Sequence, residues 1–366
     1  LVTEKAKEVF TMNVFLTVIL FLVVWFIFHN KIIRLQSDPT ASGAIVMGIG
    51  VFLYGILLFF DVSLWLRHLF VVTMVLLWIL TALSITKSII HKQFIQAHLS
   101  DPIGSFAVGT WIAGTSIVCN VIVLWLSDWK LVVIPLALFN TVMWGGYVGL
   151  VMRQFTRIWR EKHFYKVHGI LFLSTVSTQS IVVMYTHLIP DIWPIVLSQA
   201  LIVIGLVFYM LSFLMMIYKY KRNKPLNIAD QWSNTNCIIH GAMSISGVAV
   251  FISGAFPSYV VVMMWVWALL WFFIVEAIEL IRIHERYKQY GLVKGLGQYH
   301  VSQWARNFTF GMLYVLTSLV ELDGLLANIQ SVLIQTLPWM LVILLVIETS
   351  LLFNHSIKMT DHRPVA

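Results

Sequence analysis

Gly109-Thr-Trp-Ile-Ala-Gly-Thr-Ser116 decides the fold. It opens an apolar stretch long enough to cross a bilayer, yet it carries glycines and hydroxyls where a lipid-facing helix carries bulk. Four other stretches share this character: Gly43-Ala-Ile-Val-Met-Gly-Ile-Gly50, Ser174-Thr-Val-Ser-Thr-Gln-Ser180, Gly241-Ala-Met-Ser-Ile-Ser-Gly247 and Phe310-Gly-Met-Leu-Tyr-Val-Leu-Thr-Ser318. The helix-length segments that hold them begin near Gly43, Ser105, Gly169, Cys237 and Ala305, a period of roughly 62–68 residues. Each is followed by a short turn and a bulkier segment, such as Met263-Met-Trp-Val-Trp-Ala-Leu-Leu-Trp-Phe-Phe273. Five hairpins result. Small and hydroxyl residues permit close backbone approach and polar contact inside a bilayer, whereas bulky apolar helices suit lipid. The first helices should therefore form an inner ring and the second an outer ring. Packing of helix on helix explains any single glycine or serine equally well; the fivefold recurrence favours a pore.

Composition excludes a soluble protein. Only 11% of the 366 residues are charged and 60% are hydrophobic, against about 25% charged in an ordinary soluble domain. Eleven spans can be drawn, at 9–28, 43–63, 68–87, 105–126, 131–152, 169–189, 194–218, 237–256, 258–280, 305–323 and 331–353. The loops test this count. Lys31 and Arg34, Lys87 and Lys92, Arg153 to Lys166, Lys219 to Lys224, Arg282 to Lys294, and Lys358 with Arg363 all fall on one side. The alternate turns are short and poor in Lys and Arg, with Trp65, Trp125, Trp129 and Trp193 near them. The positive-inside rule makes the basic side and the C-terminus cytoplasmic, in a multi-pass protein of the cell membrane. Residues 1–42 read as an extra N-terminal transmembrane helix and linker, 43–353 as the five-hairpin pore domain and 354–366 as a cytoplasmic tail. The fold class is an all-α polytopic membrane protein, ten helices in five pseudo-symmetric hairpins around a central pore, plus that extra helix. The stretch at 281–304 reads as a short basic loop.

Several stretches resemble the tellurite-resistance/dicarboxylate transporter family, which includes the plant slow-type anion channels. Ser100-Asp101-Pro102 resembles its His-Pro step into the second inner helix, with Asp101 in place of His. Leu173-Ser-Thr-Val-Ser-Thr-Gln-Ser180, His240-Gly-Ala-Met-Ser-Ile245 and Trp304-Ala-Arg-Asn-Phe-Thr-Phe-Gly-Met312 resemble its segments on the third, fourth and fifth inner helices, with Thr309 in place of the usual Pro. The resemblance implies the ten-helix plan over 43–353, small anions as cargo, a homotrimer with a pore in each protomer, and Phe308 as the aromatic gate. A hydrophobic constriction raises the cost of passing a hydrated ion.

The lumen should be lined from the five inner helices by Gly48, Gly109, Thr110, Gly114, Thr115, Ser174, Ser177, Thr178, Gly241, Ser244, Gly311 and Thr317. No Lys or Arg falls centrally in these spans, so an anion would meet hydroxyls, kinked backbone and basic mouths. Such a path binds weakly and selects by size and dehydration. Glu348, inside the last span, is either a proton-coupling site or a packed, protonated carboxyl. The candidate cargoes are chloride, nitrate and C4-dicarboxylates, the other partner being membrane lipid; no basic run interleaved with aromatics suggests nucleic acid. The twelve histidines fall in loops or at span ends, no metal or cofactor site emerges, and no catalytic motif is visible. The rival reading is a membrane-embedded enzyme or sensor that binds a lipid or quinone within the bundle.

Overall fold

Lipid leaves a backbone no partner but itself, so the apolar stretches fold as helices. The computed structural model describes residues 39–222 and 227–361, with side chains to 355. The expected span at 9–28 lies outside the described residues. Ten long helices follow: α1 (Gly43–Tyr54), α2 (Leu64–Ile90), α3 (Gly109–Trp125), α4 (Lys130–Arg160), α5 (Leu173–Leu188), α6 (Ile195–Arg222), α7 (Ile238–Ser253), α8 (Ser258–Gly295), α9 (Trp304–Leu319) and α10 (Gly324–Asp361). Nine segments of the described chain are long and apolar enough to cross a membrane. The tenth crossing, α9, has 16 residues and so rises about 24 Å. It is enclosed by protein, which supplies what lipid contact would otherwise require.

The odd helices close a ring. α1 packs on α3, α3 on α5, α5 on α7, α7 on α9, and α9 on α1. The even helices lie outside, α2, α4, α6 and α8 each against two inner neighbours and α10 against α9. In the apolar 18-residue stretch of each span containing α1, α3, α5 or α7, 78–94% of residues are buried, against 22–44% in that of the five outer spans. The division into small-residue inner and bulky outer helices is therefore real. Outer residues such as Leu131, Val142 and Leu325 are about three-quarters exposed, as lipid contacts should be. A glycine explains the tightness of the ring at Gly43, where an added Cβ would sit 2.6 Å from the carbonyl oxygen of Thr110.

Each inner helix is entered through a 3-10 turn, at Thr40–Ser42, Gly104–Val108, Gly169–Phe172, Asn234–Cys237 and Val301–Gln303. These turns all lie at the end of the bundle that carries the basic residues. Three of the joints between hairpins are also fixed alike. Trp78 on α2 donates to Thr115 on α3 (2.9 Å), Trp144 on α4 to Thr178 on α5 (3.1 Å), and Trp265 on α8 to Thr317 on α9 (3.0 Å). In each case an outer tryptophan reaches the inner helix of the next hairpin.

The expected boundaries need correction at the basic end. Hydropathy stops at the first charges, but the outer helices continue past them into water. The stretch at 281–304 is mostly not a loop: α8 runs to Gly295, bent at Gly291 (φ 70°). Arg286 pins the bend by donating to the carbonyls of Gly295 (2.9 Å) and Ala229 (3.1 Å). At the other extreme α1 ends at Tyr54, well short of residue 63.

Candidate axial pore and its basic mouth

The five 3-10 turns converge on the ring axis, and a cavity of about 250 Å³ opens there. Every inner helix contributes to it: Met47 from α1, Thr110 from α3, Leu173 from α5, Ile238 from α7 and Phe308 from α9. Met47 and Phe308 each stand a full turn into their helices and lie deepest. Phe308 is 4% exposed. Its neighbour Asn307 is buried with an amide nitrogen that has no hydrogen-bond partner.

The rim of the cavity is polar, and its side chains cap the turns. His168 Nδ1 accepts from the Ile170 amide (3.4 Å) and meets the Thr235 hydroxyl at 2.7 Å. Ser233 accepts from the Thr235 amide (3.4 Å). His300 Nδ1 accepts from the Ser302 amide (3.2 Å), while Gln303 accepts from the His300 amide (2.6 Å). An Nδ1 that accepts from a backbone N–H must be unprotonated, so both rings are neutral caps. Burial pushes the His168 pKa down to about 4, helped by the positive charge of Lys219; burial also lowers that of His300.

Of the residues expected at the lumen, Thr110 and Phe308 reach this cavity. The others stand at seams between helices. A Cβ on Gly48 would approach Trp304 and Asn307, on Gly241 it would collide with Thr309, and on Gly311 with Val51. Gly109 faces Tyr147 and Leu173, and Gly114 faces Gly43 and Val46. Thr115, Thr178 and Thr317 hold the three tryptophans, and each also donates to its own helix backbone. Ser174, Ser177 and Ser244 likewise donate to backbone carbonyls three or four residues back. Most of the hydroxyl field is thus engaged within the helices.

A second cavity, about 1130 Å³, adjoins the first beneath α6, α8, α9 and α10. Glu348 opens onto it, 6% exposed, with Oε2 unpartnered. An ion network that the sequence announces only in its Glu279–Arg282 spacing lies here. Arg306, in the first turn of α9, turns away from the axis to meet Glu276 (3.3 Å) and Glu279 (3.5 Å) on α8. Glu279 also pairs with Arg282 at 2.8 Å, the i,i+3 contact that their spacing favours. Arg282 in turn donates to Asn234. Lys219, expected among the loop charges, is a buried residue of α6. Among the described residues no group of three His, Cys, Asp or Glu is placed to hold a metal.

A closed ring of five helices, sheathed by five others and opening at one end into a polar-rimmed axial cavity, is the architecture of a helical membrane channel or carrier. The family model described as voltage-dependent anion channel matches residues 38–357, so the chain belongs to that family, the tellurite-resistance/dicarboxylate transporters its motifs resemble. It is a multi-pass membrane protein whose family moves anions through a channel or transporter. No curated protein matches the chain.

Proposed function

We propose that this chain conducts small anions, of the size of chloride, nitrate or a C4-dicarboxylate, along the axis of the inner ring, and that Phe308 gates the path. One observation carries the reading: all five inner helices contribute to one cavity whose deepest side chains are Met47 and Phe308. An apolar constriction there obstructs a hydrated ion by the cost of stripping its water. The basic end is the cytoplasmic one, by the charge bias of its loops, and the membrane is the cell membrane. Selection rests on size and dehydration, because no cationic side chain lines the axial cavity among the described residues.

Reconstitution tests this. Proteoliposomes bearing Phe308→Ala should pass chloride or nitrate at least tenfold faster than wild type, with malate slower. A cation flux of equal size, or no anion flux in either protein, would end the proposal.

A further inference from the structure

The larger cavity shares His168, Ser233, His300 and Ser302 with the axial one, so these four side chains form a common wall. Apart from Glu348, whose carboxyl opens onto the far wall beside Leu344 and Leu351 on α10, its charges fall into two kinds. Arg306 and Arg282 are held by Glu276 and Glu279, Arg286 is tied to backbone carbonyls, and Asp230 accepts from Tyr290 and Asn227. Lys219 differs. It is 6% exposed, and no carboxylate of the described residues lies within ion-pair distance; its ammonium sits 5.0 Å from the Tyr220 ring centroid. It is close enough to His168 to oppose that ring's protonation. Its stem is buried while its ammonium opens onto the cavity, and an ammonium at a cavity wall with no fixed carboxylate beside it draws a counter-ion from solution.

We propose that the larger cavity is an antechamber of the pore, in which a small inorganic anion or a carboxylate is held at Lys219 before passing between His168 and His300 into the axial cavity. This rests on the transport reading above. Lys219 touches the anion, and the wall shared by the two cavities is the doorway. Anions therefore enter from the side, beneath α8 and α9, as well as along the axis. For the side route, preference for anions is set at the antechamber, while the constriction at Phe308 sets size.

The test uses the full chain on a Phe308→Ala background, with chloride currents recorded across planar bilayers. At about 50 mM salt, where the Debye length is on the order of 14 Å, Lys219→Gln should lower the current on the order of threefold. Lys219→Glu should lower it further and move the reversal potential in a salt gradient toward zero. Lys219→Arg should behave as the parent. At about 1 M salt the Debye length is about 3 Å and the Lys219→Gln deficit should vanish. That recovery also certifies that the variant is folded. Equal currents for Lys219→Gln and its parent at low salt would overturn the proposal. So would a deficit that persists at high salt, since that marks damage to structure. If the Phe308→Ala background itself carries no anion current, the pore reading fails, and this inference with it. A conducting background on which all three Lys219 variants behave alike sinks the antechamber alone.

Discussion

Removing the Arg306 charge should destabilise the protein more than any surface change. The residue is 17% exposed at its side chain and bridges Glu276 and Glu279 at 3.3 and 3.5 Å. At an effective dielectric constant of about 20, each contact at this range has a gross attraction of about 5 kcal/mol, most of it cancelled by desolvation. What a substitution exposes is the uncancelled part. Arg306→Gln leaves two carboxylates on one face of α8 with only Arg282 to share, and breaking a buried network in this way costs about 3–5 kcal/mol. Removing Glu276 together with Arg306 should cost far less, because Glu279 keeps Arg282 at 2.8 Å and no charge is then stranded. Arg306→Gln should therefore lower the melting temperature in detergent sharply, and Arg306→Gln combined with Glu276→Gln should recover most of the loss. Arg306→Lys should fall between, since one ammonium cannot serve two carboxylates as a guanidinium does. A single variant that melts with wild type would refute the argument, as would a double variant no more stable than the single.

Three further outcomes follow from the same geometry. His168 is neutral in the fold with a pKa of about 4, below its ordinary 6.5, so the unfolded chain binds more protons between those values; stability is full above pH 6.5 and falls as pH drops through this window. The loss should reach about 2.5 kcal/mol at pH 4.5, and His168→Asn, which can still cap, should flatten the melting-temperature profile there. Trp→Phe at 78, 144 or 265 removes a donor without orphaning the threonine, which keeps its backbone bond, and should cost about 0.6–1 kcal/mol at each joint. The three joints are separate, so the triple variant should lose about 2–3 kcal/mol in detergent unfolding. Thr317→Val strands the fully buried Trp265 N–H and should cost more, about 1–3 kcal/mol, than Thr115→Val beneath the less buried Trp78.

The sequence shows the hairpins because lipid imposes length and apolarity on each crossing, and it shows the ring because only small residues permit its seams. Gly43 against Thr110, and Gly241 against Thr309, are seam contacts whose need for small side chains is written in the residue types themselves. Partners are not visible in the same way. Glu279 with Arg282 is a spacing on one helix and could be read directly; Glu276 with Arg306 joins two helices and could not. Lys219 was hidden by a different rule. Hydropathy ends a span at its first charges, whereas hydrogen bonding carries α6 on to Arg222 and places that lysine under its neighbours. A tryptophan and a threonine recurring one hairpin apart was the available signal for the three joints.

The same residues that build the ring also limit what its lumen can do. Thr115, Thr178 and Thr317 spend their hydroxyls on outer tryptophans and on their own helices. Ser174, Ser177 and Ser244 close onto backbone carbonyls. Little polar capacity is left to replace an ion's hydration along the axis, so on the proposed axial path an anion would lose water without full compensation. That favours weak binding and fast release, with discrimination by dehydration cost. It also explains why the strongest charges sit off the axis. Arg306 points outward into the α8 carboxylates, and Lys219 faces the side cavity. A guanidinium on the axis would hold an anion and slow its exit; turned outward, it fixes the helix that carries Phe308 and leaves the proposed path unobstructed by charge.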